Sequence, residues 1–511
     1  MNKIIESGTN LSLVMLCLLC AMSLLVSLAV PFVEYGTRIP ARSLAAGAGY
    51  VLLLVMLLRF ALRTDERKFD ARWLWGIVLV SAAIKILLVL GLPDYVQLSD
   101  RRLLKEFVEH LAVHGLSFSS LQRLSRTIFD YDAFSGRIFP LALPLRWIFG
   151  GRSVLAFQVA GVMLSTGSLI LFHRIVRRLL PVRAAHAAFV LYALFPLHLG
   201  AVMDYSYKVQ AEFFLMLSML WAVEVAAHRV LWRLKSVGIG LAMFVLHLQG
   251  GVDQLVVLLL VLFLLFGLAR ERTWRVVVRK TAFLVLIPVL INAPLAGSFD
   301  AWRNAPAADA IKSGSAGFMV HGWSIETRGV YDANYEQMDL QAPPWLKTRL
   351  MHAVILSQLK YNLPAVMFRL LPQKMAQYFL VGYASEFEES LRAVGPPFLE
   401  QMFLGLRLFF APLFLTAVIF GCISMLSGRV EPDGLRLLIF MPVITCGIIV
   451  LLAAVSPNYS FMVHFALCIA AGMAFVPVPP GELIPRLKTA GIRLMFRAPV
   501  ILILYFAAVS G

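Results

Sequence analysis

The chain has 511 residues, of which 60% are hydrophobic and only 15% are charged, and its mean hydropathy is +0.81. A water-soluble domain is about half apolar and about a quarter charged, so this composition excludes a soluble enzyme or binding module. The net charge of +17 comes from Lys and Arg in short segments between apolar runs, which is typical of membrane proteins and does not indicate a nucleic-acid partner.

Apolar segments of about 20 residues recur along the chain and predict membrane-spanning helices. We therefore expect an all-α polytopic membrane protein with about 11–13 transmembrane helices. The predicted spans cover 9–33, 41–62, 73–92, 153–173, 184–203, 209–227, 236–249, 253–269, 281–297, 401–425, 436–455, 459–477 and 496–510.

Lys and Arg concentrate in alternate loops, which predicts the orientation of the chain in a bacterial cytoplasmic membrane. The loops at 59–72, 174–183 and 270–280 are expected on the cytoplasmic side together with the N-terminus. The two longest polar segments, 93–152 and 298–400, then face outward.

The same segments suggest how the chain is divided. The predicted parts are N-terminal membrane helices at 1–72, a membrane core at 73–297, a second outer loop with amphipathic helices at 298–400, and C-terminal membrane helices at 401–511. The first outer loop, 93–152, belongs to the core. Any chemistry must therefore lie on the membrane helices and these two outer loops.

The cysteines all lie in apolar spans and have no metal-ligand spacing. They are therefore expected to be small buried hydrophobic residues, neither bridged nor metal-bound. No metal site is predicted. The five cysteines are Cys17, Cys20, Cys422, Cys446 and Cys468.

Asp100 opens the first outer loop, directly after the third apolar span. A carboxylate beside the bilayer is rarely incidental, so Asp100 is the first candidate for catalysis. The alternative is an N-cap for a following helix, because Asp is a good capping residue. Asp94 follows Pro93 and is better explained as a turn residue.

Short motifs follow the acidic segment Leu98-Ser99-Asp100 along the chain. In chain order they are Arg137-Ile138-Phe139-Pro140-Leu141-Ala142-Leu143-Pro144, Phe195-Pro196, Gln210-Ala211-Glu212-Phe213-Phe214, Asn292-Ala293-Pro294, Trp302-Arg303-Asn304, Ser313-Gly314-Ser315-Ala316-Gly317 and Lys360-Tyr361-Asn362-Leu363-Pro364, with Lys374 beyond. Their order and predicted sides resemble the GT-C superfamily of membrane glycosyltransferases, in particular the protein O-mannosyltransferase and lipid A aminoarabinose transferase branch. The resemblance implies a GT-C-like core that transfers a sugar from a polyprenyl-phosphate donor, with inversion, on the outer face of the membrane.

Sugar transfer requires a base for the acceptor hydroxyl and cations for the departing phosphate. We assign Asp100 as the general base and Glu212 as a second catalytic acidic residue. Arg137, Lys208 and Arg303 are the candidates for the donor phosphate. Glu212 could instead balance a helix dipole, and long cations often contact ordinary lipid headgroups.

Further polar residues are candidates for substrate binding. Asp130 and Asp132 flank Tyr131 and suit either acceptor hydroxyls, a metal or a turn. His247 and Gln249 border a Gly-Gly pair at an apparent membrane hairpin, where they line a donor site or satisfy a broken helix. No cofactor is assigned, and a divalent cation is left open. The expected partners are the lipid-linked donor, a glycan, lipid or protein acceptor, and membrane lipids.

The chain departs from the family pattern at two positions. Pro457-Asn458-Tyr459-Ser460 stands where many relatives have Arg-Tyr, and Leu248-Gln249-Gly250 stands where some have Lys before Gly. Two alternatives therefore stay open. One is an O-antigen-type ligase or polymerase that uses a lipid-diphosphate glycan. The other is a lipid-glycan transporter or flippase, although internal repeats typical of transporters are not visible.

Overall fold

The computed structural model describes most of the membrane helices and leaves both predicted outer loops largely outside the described residues. The described residues are 7, 9–21, 23–24, 40–63, 71–91, 153–203, 208–227, 230–248, 253–268, 273–304, 344–366, 370–371, 374, 397–427, 438–439, 441–446 and 464–476. Within them every regular element is helical.

The helices are numbered here in chain order. They are α1 (Thr9–Ala21), α2 (Ala41–Arg63), α3 (Ala71–Gly91), α4 (Ser153–Leu179), α5 (Val182–Ala193), α6 (Pro196–Gly200), α7 (Lys208–Ala226), α8 (Trp232–Leu248), α9 (Asp253–Leu268), α10 (Trp274–Thr281), α11 (Ile287–Asn304), α12 (Pro344–Tyr361), α13 (Pro397–Ser427) and α14 (His464–Met473). Among the described residues, six helical stretches are long and apolar enough to cross a membrane. The predicted all-α polytopic membrane protein is confirmed. The division into four parts stays a prediction.

The predicted span at 184–203 is interrupted in the structure. Helix α5 ends at Ala193, α6 begins at Pro196, and a 3-10 turn covers Ala201–Met203. Proline has no backbone N–H and disfavours helical geometry in the residue before it, which explains the break. The backbone N–H of His198 donates to the carbonyl of Phe195 at 2.9 Å, so a hydrogen bond links the first turn of α6 to the residue before Pro196.

The predicted span at 281–297 is longer than expected. Helices α10 and α11 form one continuous helical segment, joined by a π-helical turn at Ala282–Leu286. Pro288 follows the turn and cannot donate to the preceding turn of helix. The Ser236 hydroxyl on α8 donates to the carbonyl of Phe283, which supplies a side-chain partner inside the distorted region.

Glycines allow three close helix contacts in the core. A Cβ at Gly405 on α13 would lie 2.0 Å from the carbonyl oxygen of Ser43 on α2. A Cβ at Gly421 would lie 1.7 Å from that of Ala470, and one at Gly472 would lie 2.6 Å from that of Ala184. Small residues at membrane-helix interfaces permit such backbone approach. As a result α13 packs tightly against both α2 and α14, and α14 packs against α5.

Polar and charged residues connect the helices at one end of the bundle. Glu224, near the end of α7, contacts Arg178 at the end of α4 and lies 2.6 Å from Lys235 near the start of α8. The His186 ring at the start of α5 lies 3.2 Å from the carbonyl oxygen of Ala61 near the end of α2. These helix ends adjoin the loops that the Lys and Arg pattern predicts to be cytoplasmic.

Candidate functional site

A buried chain of polar side chains crosses the opposite end of the bundle. Lys85 Nζ donates to Ser165 Oγ at 2.6 Å, and Ser165 Oγ lies 3.5 Å from His198 Nε2. His198 Nδ1 lies 3.1 Å from Glu212 Oε2. Lys85, Ser165 and Glu212 are 0% exposed, and His198 is 2% exposed. We call these four residues the buried polar cluster.

Each member comes from a different helix, so the cluster exists only in the folded protein. Lys85 is less than two turns from the end of α3, and Glu212 is just over one turn from the start of α7. Ser165 lies within α4, and His198 lies in α6, directly after the Phe195-Pro196 break. The cluster therefore lies in the half of the bundle where α3 ends and α7 begins. The chain passes directly from the end of α3 into the segment that contains Asp100.

Aromatic rings surround the His198 side of the cluster. The Tyr192 and His198 ring centroids are 4.3 Å apart, and Tyr192 and Phe172 are 4.4 Å apart. His464, from α14, packs against Phe195 at 4.7 Å. These rings hold the imidazole in place and keep its surroundings apolar.

A lysine and a glutamate are both fully buried in this apolar region. An isolated ammonium or carboxylate is very costly to bury, and pairing offsets much of that cost. In the order of contacts within the cluster, Ser165 and His198 lie between Lys85 and Glu212. A histidine in contact with a carboxylate is suited to hold or pass a proton. Because ionisable groups at membrane depth are rarely structural, the cluster is the leading candidate site.

A second polar group lies where α8, α9 and α11 meet. Asn292 Nδ2 donates to Asp253 Oδ2 at 2.9 Å, and His247 Nδ1 lies 3.4 Å from Asp253 Oδ1. Asp253 and Asn292 are each 6% exposed. His247, which was predicted to bind substrate, lies at the end of α8 and contacts the buried carboxylate of Asp253 at the start of α9. Gln249, its predicted neighbour, lies outside the described residues.

The structure describes part of the predicted site. Glu212 is buried in the cluster, and Lys208 lies one turn before it on the same face of α7. The backbone of Arg303 is described, in the last turn of α11. Lys374, the lysine beyond the last of the motifs, is fully buried, and burial lowers its pKa to about 7. Asp100, Arg137, Asp130 and Asp132 lie outside the described residues, so their assigned roles stay predictions.

Lys85, Ser165 and His198 were not among the predicted site residues. Lys85 carried a usable signal, because a single lysine within an otherwise apolar span is costly and therefore rarely incidental. Ser165 and His198 carried none, since Ser and His are common in such helices. Within the part of the chain that the structure describes, no group of three or more His, Cys, Asp or Glu residues is arranged to hold a metal ion. The five cysteines are buried, as predicted.

No protein-family model matches the chain, and no curated protein matches it. Among solved structures, it is similar to the archaeal oligosaccharyltransferase AglB from Archaeoglobus fulgidus, in complex with an inhibitory peptide and a dolichol-phosphate. The TM-score is 0.42 and the sequence identity is 13%. The alignment covers 87% of this chain and 56% of that one, so the chain spans little more than half the length of that protein.

Proposed function

We propose that the protein is a membrane glycosyltransferase that moves a sugar from a polyprenyl-phosphate donor to an acceptor hydroxyl. The observation that carries this function is the buried polar cluster of Lys85, Ser165, His198 and Glu212. It gives the membrane bundle an ionisable site at the end where the Asp100 segment begins. A structural bundle has no need of such a site.

The reaction divides into three tasks. Asp100 takes the proton of the acceptor hydroxyl. The hydroxyl oxygen bonds to the anomeric carbon as the bond from that carbon to the phosphate oxygen breaks, which inverts the configuration. The polyprenyl phosphate leaves with the bonding electrons, and Arg137, Lys208 and Arg303 stabilise its charge.

The described residues support the role of Lys208 at the phosphate and suggest a further role for Glu212. Lys208 is the first residue of α7, and the positive end of a helix dipole favours a phosphate there. Glu212, one turn further along, is fixed in contact with His198. In the proposed reaction, its negative charge stabilises the positive charge that develops on a sugar bound at this end of the bundle.

The central test is the substitution Asp100→Asn. The purified protein in lipid nanodiscs is given polyprenyl-phosphate mannose, glucose or 4-amino-arabinose with a mixed acceptor fraction from bacterial envelopes, and release of polyprenyl phosphate is measured. Loss of the base should slow release by roughly 10²–10⁴-fold. Asn caps a helix about as well as Asp, so a merely capping Asp100 would leave the rate unchanged.

Asp94→Asn is the matched control, because it removes a carboxylate from the same segment and should have little effect. Near-normal release by the Asp100→Asn protein would contradict the assignment of the base. Release from none of the donors by the wild-type protein, at any acceptor concentration, would contradict the use of these sugar phosphates.

The buried polar cluster also favours a second function, the ion-coupled movement of a lipid-linked glycan across the membrane. Chains of acidic residues and histidines at membrane depth serve as proton relays in transporters. Proteoliposomes separate the two functions. A glycosyltransferase consumes the donor and releases polyprenyl phosphate, whereas a flippase leaves the donor intact and changes only the leaflet in which it is found.

A further inference from the structure

We propose that Arg59 and Arg63 bind the phosphate of an anionic phospholipid whose acyl chain enters an apolar cavity between α2, α5 and α13. The site lies at the end of the bundle opposite the buried polar cluster. It would hold a membrane lipid as a lasting part of the folded protein. The lipid site is independent of the sugar-transfer activity proposed above.

The cavity has the size and the lining of a lipid-chain site. Its volume is about 370 Å³, within the usual range for small-molecule pockets. Its walls come from Leu54 and Leu58 on α2, Leu191 on α5, and Phe410 and Phe414 on α13, and Phe475 closes one side. Arg59 and Arg63 line it with the hydrocarbon parts of their side chains, because almost none of the lining surface is polar. An apolar chain fits this lining and a water-filled channel does not.

The two arginines are placed for one phosphate group. They are four residues apart on α2, so their side chains project from the same face, in one row with Val55. Both are exposed, and neither forms an ion pair within the described residues. Arginine matches a phosphate by its paired donors, and basic pockets between membrane helices on the cytoplasmic side bind anionic headgroups.

The depth of the site selects the occupant. Arg59 and Arg63 lie in the last two turns of α2, near the Ala61 carbonyl that the His186 ring contacts. The Lys and Arg pattern predicts that this end is cytoplasmic. A phospholipid of the cytoplasmic leaflet reaches it directly, whereas a sugar donor used at the buried polar cluster would have its phosphate at the other end.

The test measures lipid binding by native mass spectrometry of the purified full-length chain. The delipidated protein is titrated with phosphatidylglycerol, phosphatidylcholine or polyprenyl phosphate. The wild-type protein should retain phosphatidylglycerol in preference to the other two. The double variant Arg59→Gln/Arg63→Gln should bind phosphatidylglycerol about 25-fold more weakly, since each cation near an anionic lipid contributes about fivefold.

The matched control is Arg275→Gln/Arg279→Gln on α10. It removes two exposed arginines with the same spacing from the same predicted side, outside the cavity, and should leave binding unchanged. Ala417→Phe should also weaken binding, because it fills the cavity while both arginines stay in place. Thermal unfolding checks that each variant is folded. If the arginine variant is unfolded, the binding loss in Ala417→Phe and the lipid preference of the wild-type protein test the proposed site.

Equal losses of phosphatidylglycerol binding in Arg59→Gln/Arg63→Gln and Arg275→Gln/Arg279→Gln would overturn the site, because the effect would then depend only on the net charge of the protein. Equal binding of phosphatidylglycerol and phosphatidylcholine by the wild-type protein would overturn the role of the phosphate charge. Preferential retention of polyprenyl phosphate, lost in Arg59→Gln/Arg63→Gln, would show that the occupant is the carrier lipid and would overturn the phospholipid.

Discussion

Glu212 and Glu224 lie on the same helix and are both buried, yet their surroundings differ. Glu224 contacts two cations that are partly exposed at the end of the bundle. Glu212 contacts the buried His198, and the fully buried Lys85 belongs to the same cluster. Their separation of 12 positions corresponds to about 18 Å along the helix axis, more than half of a membrane core of about 30 Å. One carboxylate therefore joins helix ends, and the other belongs to a desolvated site.

The pair of Lys85 and Glu212 should show strong energetic coupling. Glu212→Gln or Lys85→Met alone leaves a buried charge without its counter-charge, so each should destabilise the protein clearly. The double variant removes both charges and should recover part of the loss, with a coupling free energy of about 0.5–3 kcal/mol. The free energies of unfolding of the wild-type protein, the two single variants and the double variant are compared by thermal unfolding in the same detergent.

Activity distinguishes a structural pair from a functional one. If the cluster serves the reaction, the double variant regains stability and still fails to turn over. Additive stability effects would contradict direct coupling between the two charges, and full activity in the double variant would remove the cluster from the mechanism. Glu224→Gln serves as the control for a carboxylate lost from the same helix, and it should retain turnover.

Helix packing depends on single glycines in this bundle. Gly405 and Gly49 are both helical glycines, but a Cβ at Gly405 would meet backbone within 2.0 Å, while a Cβ at Gly49 would meet nothing within 4 Å. Gly405→Ala should push α2 and α13 apart, at a cost of about 1–3 kcal/mol. Gly49→Ala should be neutral or slightly stabilising, because alanine favours the helix. A lower unfolding temperature for Gly49→Ala than for Gly405→Ala would contradict this account of the interface.

The sequence predicted helices better than it predicted their interruptions and contacts. The spans at 41–62 and 73–92 agree with α2 and α3 to within about two residues, because an apolar run bounded by charges defines a membrane helix by itself. The predicted span at 184–203 includes Pro196, which explains its break, but hydropathy does not show that the chain continues as a short helix presenting His198. The contacts of Lys85 with residues on other helices depend on tertiary packing, which no local pattern encodes.

The whole molecule has polar groups at both ends of an apolar bundle, and the two ends differ in kind. The buried polar cluster lies at one end, inside the protein, whereas the other end carries Arg178, Lys235 and the exposed Arg59 and Arg63. Cations near headgroups on one side are typical of the cytoplasmic face. The orientation was predicted from these same residues and stays a prediction, and in that orientation the buried polar cluster would lie toward the outer face.

Labelling of single cysteines tests that orientation directly. Ser135→Cys and Ser313→Cys place a thiol in each predicted outer loop, while the native cysteines are buried and should react little. An impermeant maleimide should label both new thiols in intact cells, because both loops are expected outside. Thr64→Cys, in the predicted cytoplasmic loop directly after α2, is the matched control, and it should react only after lysis. Protection of Ser135→Cys and Ser313→Cys until lysis, with labelling of Thr64→Cys in intact cells, would reverse the orientation and with it the leaflet assigned to the lipid site.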